Sequence, residues 1–176
     1  MDHLFIECLL DGEEISDIAA VRATADRTIR GTFSEKILTR GFADGVELDT
    51  ALKAMKAKLC PPAYPSTFVL VSHKANPVVI KAVQPDIFVD CGWVYLNQIA
   101  WPMVWAQVVG AVNLEELAMA LKIKTEALDS ATGRVAGTMN VYFALMKKYK
   151  TALQVEETMT HLGGQALKSA RELLNF

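Results

Sequence analysis

One stretch near the amino terminus restricts the fold more than any other. Residues 3–10 read His-Leu-Phe-Ile-Glu-Cys-Leu-Leu, an almost continuous apolar run. Such a run is typical of a central strand that is buried on both faces of its sheet. Its one carboxylate, Glu7, is the anomaly of the strand.

Strands and amphipathic helices alternate after this stretch. The tetrapeptide Asp11-Gly12-Glu13-Glu14 predicts a tight hairpin, so the first three strands are expected to be antiparallel. Asn76 before Pro77 predicts the cap of a helix. The apolar spacing predicts strands at 15–23, 29–38, 68–71 and 87–91, and helices at 47–59, 76–83 and 93–109.

Residues 113–149 contain two predicted helices and a short joint. Asn113 followed three residues later by Glu116 predicts an N-cap with its reciprocal partner, so the first helix is expected to begin at Asn113. Apolar residues recur at helical spacing from Ala127 to Met146 and predict the second helix. Two more helices are predicted at 151–161 and 165–176, on either side of a glycine pair.

Length and composition favour one domain with a large core. The chain has 176 residues, a hydrophobic fraction of 52% and a mean hydropathy of +0.22. This is more apolar surface than a small core hides, so a homodimer or a bound partner would cover the rest. No apolar run reaches the roughly 18 residues of a membrane span, and Asp2 and Glu7 stand where a signal peptide carries positive charge. A cytoplasmic protein with no membrane partner is expected.

Charge and cysteine content argue against two classes of protein. A net charge of −2 disfavours a protein that coats long nucleic acid, although it permits one that grips a strand end. Cys8, Cys60 and Cys91 are odd in number and lack CxxC spacing, so neither a disulfide framework nor a structural zinc site is expected.

The pair of helices at 113–149 resembles the carboxyl-terminal signature of the DnaQ-like 3′-to-5′ exonucleases, the DEDD group with the ribonuclease H-like fold. In that family a helix ending LxxLAxxLGI is followed by HxAxxDA, whose His is the general base and whose Asp is a metal ligand. Ala127 and Ala131 match the two alanines of this motif. Thr125 stands at the position of the His, and Ser130 at that of the Asp.

Two further segments carry the same resemblance. Residues 5–7, Phe-Ile-Glu, lie on the family's FxD, and residues 18–21 match its IAAV strand, but Leu9 stands at the position of the family's glutamate. His73 matches the first residue of the HNAxFD motif, and Val78 stands at the position of its Asp. His73, Lys74 and Asn76 are the candidates for substrate contact, although His73 also suits a strand-end histidine that ties down a turn.

The resemblance implies an α/β, ribonuclease H-like fold. Its mixed central sheet has three antiparallel strands followed by two parallel ones, flanked by helices, with extra helices at the carboxyl terminus. Residues 1–150 would form the exonuclease-like domain, and residues 151–176 a helical extension packed on it. Most of the chain is covered, but the residues at the chemical positions differ from those of the family.

Our first hypothesis is a catalytically inactive relative that binds a single-stranded nucleic-acid end or a protein partner. Two divalent ions about 4 Å apart need several carboxylates, and Glu7 alone does not hold that pair. Glu7 and Asp129 are then catalytic remnants and no cofactor is needed. Asp129 is one residue from the lost ligand position, which turns its side chain by about 100° away from Glu7.

The alternative is an active metal-dependent 3′-to-5′ exonuclease with re-sited carboxylates. It would use Mg²⁺ or Mn²⁺ with Glu7 as a metal ligand. The candidates for the other acids are Asp11, Asp17, Asp90 and Asp129. A third interpretation, an unrelated small-molecule pocket, lacks a Gly-rich phosphate loop or a nucleophile motif.

Overall fold

A computed structural model describes residues 2–41, 43–60, 68–87, 92–97, 113–125 and 127–161. Five strands form one sheet in the order β3-β2-β1-β4-β5. The strands are β1 (Asp2–Asp11), β2 (Glu14–Thr24), β3 (Ile29–Lys36), β4 (Phe68–Ser72) and β5 (Gly92–Tyr95). β1 and β3 each pair antiparallel with β2, whereas β4 is parallel to both β1 and β5. The predicted mixed sheet is therefore confirmed.

Strand β1 lies at the centre of the sheet and separates two hydrophobic cores. Leu4, Phe5 and Ile6 are all completely buried. Because side chains alternate along a strand, Phe5 belongs to one core, whereas Leu4 and Ile6 belong to the other. The apolar run identified in the sequence is thus a strand covered on both faces, as expected.

Within the described residues, four helices cover the two faces of the sheet. They are α1 (Leu48–Leu59), α2 (Pro77–Ile87), α3 (Leu114–Ala120) and α4 (Ala131–His161). Helices α3 and α4 contribute to the core around Phe5, which we call the first core. Helices α1 and α2 contribute to the core around Ile6, the second core. No helix within the described ranges combines the length and the apolar composition that a membrane crossing requires.

Aromatic side chains hold α4 on the sheet. Phe5 lies 5.5 Å from Tyr142 and 5.6 Å from Phe143 between ring centroids. The ring of His3 lies 5.0 Å from that of Tyr142. Such pairs contribute about 0.5–1.5 kcal/mol beyond the burial of their area. They hold the long helix α4 across β1.

Strand β5 includes residues at which the sequence predicted a helix. The predicted strand at 87–91 is wrong at Ile87, which ends α2, and residues 88–91 lie outside the described part of the chain. Residues 93–95, where a helix was predicted to begin, belong to β5 (Gly92–Tyr95), and the rings of Trp93 and Tyr95 stack 5.8 Å apart. A short apolar run does not separate strand from helix by periodicity alone, and pairing with β4 decided the outcome.

Helix α4 also differs from its predicted bounds. Ala127 has a φ of 44°, outside the helical region, and Ser130 Oγ accepts a hydrogen bond from Gly133 N at 3.0 Å, so the helix begins at Ala131. It continues without interruption to His161, where a separate helix at 151–161 was predicted. The predicted helix at 165–176 lies outside the described residues, and the division of domains at residue 150 stays a prediction.

The start of α3 is confirmed in detail and gives a first test. Asn113 Oδ1 accepts a hydrogen bond from Glu116 N at 2.8 Å. We expect Asn113→Ala to lower the free energy of unfolding by about 1 kcal/mol, because the amide loses its partner. The measurement is urea unfolding followed by circular dichroism. The matched control, Asn140→Ala at an exposed position within α4, should change stability by less than about 0.7 kcal/mol, in the stabilising direction. Equal effects of the two substitutions would contradict the capping role.

Candidate functional site

Glu7 lies in the sheet just beyond the point where the neighbouring parallel strand ends. Phe5 pairs with Val71 across β1 and β4, and β4 ends one residue later at Ser72. Glu7 therefore lies level with His73, the first residue after that strand. By alternation its side chain shares the sheet face of Phe5, on which α4 packs.

Three donors from two neighbouring elements converge on one oxygen of this carboxyl group. Glu7 Oε1 accepts hydrogen bonds from His73 N at 2.6 Å, from Thr138 Oγ1 at 2.7 Å and from Ser72 Oγ at 3.4 Å. Ser72 and His73 come from the end of β4, and Thr138 comes from α4. We call these four residues the Glu7 junction, since it connects β1, β4 and α4.

Burial controls the charge state of Glu7. The residue is 7% exposed, and desolvation raises the pKa of its carboxyl group above the ordinary value of 4.5. The hydrogen bonds of His73, Thr138 and Ser72 and the positive charge of Arg134 oppose this rise without cancelling it. The carboxyl group therefore stays neutral at pH values where an exposed glutamate is ionised.

Arg134 approaches the junction from α4. It lies four residues before Thr138, so the two side chains share one side of the helix. Its Nε donates a hydrogen bond to Leu128 O at 2.9 Å. A groove of about 200 Å³ lies beside it, lined by Asn113, Leu114, Glu115, Leu128 and Arg134.

The described residues around Glu7 do not fit a two-metal centre. Such a centre needs several carboxylates around a pair of cations. Within the described ranges, no group of three or more His, Cys, Asp or Glu side chains is arranged to hold a metal ion. Glu7 Oε1, moreover, already accepts three hydrogen bonds.

The structure separates the positions at which the family has its other acids. Leu9 packs against the first core, whereas Val78 packs against the second core, which lies on the other face of the sheet. Ser130 caps the start of α4. Eight residues of helix separate Ser130 from Thr138, about 12 Å along the axis, so Thr138 and not Ser130 meets Glu7.

The candidate acids of the active alternative differ in their position relative to Glu7. Asp129 is exposed in the turn before α4, and Asp11 lies at the hairpin end of β1, where its Oδ2 faces Gly41. Asp17 shares the sheet face of Glu7, because Glu7 pairs with Ala19 two residues along β2. Diagonal positions of this kind place Cβ atoms about 7–8 Å apart. Asp90 lies outside the described residues.

The candidates for substrate contact surround the end of β4. His73 ties down the turn through its backbone, since its N–H donates to Glu7 and its carbonyl accepts from Asn97 N at 3.0 Å. Asn76 Oδ1 accepts from Val78 N at 2.9 Å, which confirms the predicted cap of α2. Lys74 is exposed on the same turn. Contact of these three residues with a substrate stays a prediction.

Sequence reasoning missed Ser72, Thr138 and Arg134. The available signal was Thr138, a hydroxyl within the apolar face of α4 between Val135 and Tyr142. A buried acid in a central strand needs donors, and a hydroxyl on an apolar helix face supplies one. Recognising the pair required knowing which turn of α4 crosses β1.

The Glu7 junction predicts an unusual dependence of folding stability on pH. Because the folded pKa is raised, the stability that Glu7 contributes is complete below pH 4.5 and declines as pH rises through the folded value. We expect Glu7→Gln to gain stability relative to the unmodified chain as pH rises from 4 to 8. Glu7→Ala should lose about 3 kcal/mol at low pH, since it leaves buried donors without an acceptor. Urea unfolding at a series of pH values measures both.

The matched control for this prediction is Glu13→Gln at an exposed position of the hairpin. Above pH 5, the free energy of unfolding of this variant should change with pH in the same way as that of the unmodified chain. Burial lowers the pKa of His3, but this residue is present in every variant, so its contribution cancels in the difference. A constant difference between Glu7→Gln and the unmodified chain over this range would contradict a neutral Glu7.

Comparisons with known proteins find a likeness in structure only. No protein-family model matches the chain, and no curated protein matches its sequence. Among solved structures, the fold is similar to that of E. coli Exonuclease I in complex with a dT13 oligonucleotide, with a TM-score of 0.56. Sequence identity is 14%, and the match covers 91% of this chain.

The match covers 44% of the chain of that exonuclease, so this chain spans less than half of its length. At this identity the likeness concerns the fold. The sheet order and the helices on both faces agree with it. The chain thus has the exonuclease-like, ribonuclease H-like α/β fold that its sequence motifs implied.

Proposed function

We propose that this protein is a degenerate relative of the DnaQ-like exonucleases that binds a single-stranded nucleic-acid end and does not cleave it. The binding site is the carboxyl end of β4, beside Glu7 of β1 and α4. The observation that carries this proposal is the Glu7 junction. The one acid retained at the family's chemical positions is buried and bound by three donors of its own chain.

The fold supports the binding part of the proposal. E. coli Exonuclease I, which shares this fold, is described in complex with an oligonucleotide. Cleavage in the family depends on metal ions held by several carboxylates. In this chain Leu9, Val78 and Ser130 have no carboxylate to offer. A scaffold without these ligands retains its surface for recognition while losing the chemistry.

A second candidate is an active exonuclease with re-sited carboxylates, and Asp17 is the observation that favours it. Asp17 is buried on the face of Glu7, and its Oδ1 has no hydrogen-bond partner. Its Oδ2, however, accepts from Lys36 Nζ at 2.8 Å. A cation would have to compete with that ammonium group, so the structure favours the inactive candidate.

The test is incubation of the purified protein with dT13 and its uridine counterpart, each labelled at the 5′ end, with Mg²⁺ or Mn²⁺. We expect both strands to be recovered at full length, because the metal ligands are missing. Fluorescence anisotropy should show binding of the single strand in preference to a blunt duplex of the same length. Gel electrophoresis after incubation measures cleavage.

Stepwise shortening from the 3′ end that disappears in Glu7→Ala and in Asp17→Asn would establish the active candidate. Asp129→Asn is the matched control, because Asp129 is exposed in the turn before α4. Absence of binding to either strand would overturn the nucleic-acid part of the proposal and leave a protein partner.

A further inference from the structure

We propose that the site holds a single-stranded nucleic-acid end through Arg134 and Lys74, without a divalent metal ion. This inference rests on the function proposed above and specifies how the phosphate groups are held. The Glu7 junction, the apolar residues around it and the placement of the two cations carry the argument.

The first step concerns the negative charge around Glu7, level with the end of β4. Leu9, two residues after Glu7 on the same sheet face, is apolar and packs against the first core. Glu7 itself is directed into the protein by Ser72, His73 and Thr138. Carboxylates at such a site repel phosphate unless metal ions stand between them. Among the described residues most of that repulsion is absent, so they require no metal ion to offset it.

The second step is the placement of two positive side chains on the two elements that supply the donors of Glu7. Arg134 approaches from α4, and its charge acts on Glu7. Lys74 is exposed on the turn that follows β4, directly after His73. Both Arg and Lys bind phosphate oxygens by charge-assisted hydrogen bonds. A strand end that lies over Glu7 would pass between them.

The third step concerns the acids that remain nearby. Asp17, on the same sheet face, forms an ion pair with Lys36. Glu115 lines the same groove as Arg134, so its carboxylate group lies near that cation. Glu115 therefore opposes the binding of a phosphate group at Arg134. The inference therefore predicts that removing the charge of Glu115 strengthens binding, whereas removing the charge of Arg134 or Lys74 weakens it.

The experiment measures the affinity of the full chain for 5′-fluorescein dT13 by anisotropy, in EDTA and in MgCl₂, over a range of salt concentrations. We expect the two affinities to agree within about twofold at equal ionic strength. Arg134→Gln and Lys74→Gln should each weaken binding by roughly fivefold to tenfold. Each should also reduce the slope of log affinity against log salt by about 0.7, the value for one phosphate contact with a single strand.

Two more variants complete the design. Glu115→Gln should strengthen binding by roughly twofold to threefold, because an opposing charge is removed near Arg134. Lys56→Gln is the matched control and should leave affinity and salt slope unchanged. Lys56 is exposed on α1, which covers the opposite face of the sheet. Circular dichroism of each variant confirms that the fold is retained.

The outcomes separate this inference from the proposed function. Binding that needs Mg²⁺ would overturn the inference and leave the proposed function standing. Metal-free binding that Arg134→Gln and Lys74→Gln do not weaken would overturn the assignment of the two cations. Binding in neither buffer would overturn both the inference and the nucleic-acid function on which it rests.

Discussion

The arrangement of this protein depends on how it satisfies one buried carboxyl group. Glu7 stands in the central strand of the sheet, where a charged side chain without partners would cost several kcal/mol. Burial raises the pKa of its carboxyl group, and three donors converge on one of its oxygens. The donors come from β4 and α4, so satisfying Glu7 fixes the positions of both elements relative to β1.

The two cores are organised around the same strand. Alternation along β1 sends Phe5 and Glu7 towards α4, and Leu4 and Ile6 towards α1 and α2. On the α4 side, Tyr142 and Phe143 pack on Phe5 about one turn beyond the point where Thr138 meets Glu7. The polar junction and the aromatic contacts therefore orient α4 together. A shift of that helix by one turn would break both.

This arrangement connects the fold to the proposed function. A sheet edge with several ionised carboxylates attracts cations, and those cations attract phosphate. In this protein the acid is turned inward and bound by its own chain, while the charge of Arg134 acts on it from α4 and Lys74 is exposed on the turn after β4. The electrostatic conditions at the edge differ from those of a metal-dependent nuclease, although the fold is exonuclease-like. On these grounds we propose recognition of a strand end and not its hydrolysis.

The sequence by itself determined the central strand, the antiparallel order of the first three strands and the cap at Asn113, because each depends on neighbouring residues and their spacing. The mixed sheet as a whole followed from the resemblance to the exonuclease family. It did not determine the start of β5 or of α4, because pairing with β4 and a left-handed turn at Ala127 decided those. The sequence also did not identify the residues that donate hydrogen bonds to Glu7. Ser72 and Thr138 lie 65 and 131 residues away along the chain, and only tertiary packing shows which turn of α4 faces the carboxyl group.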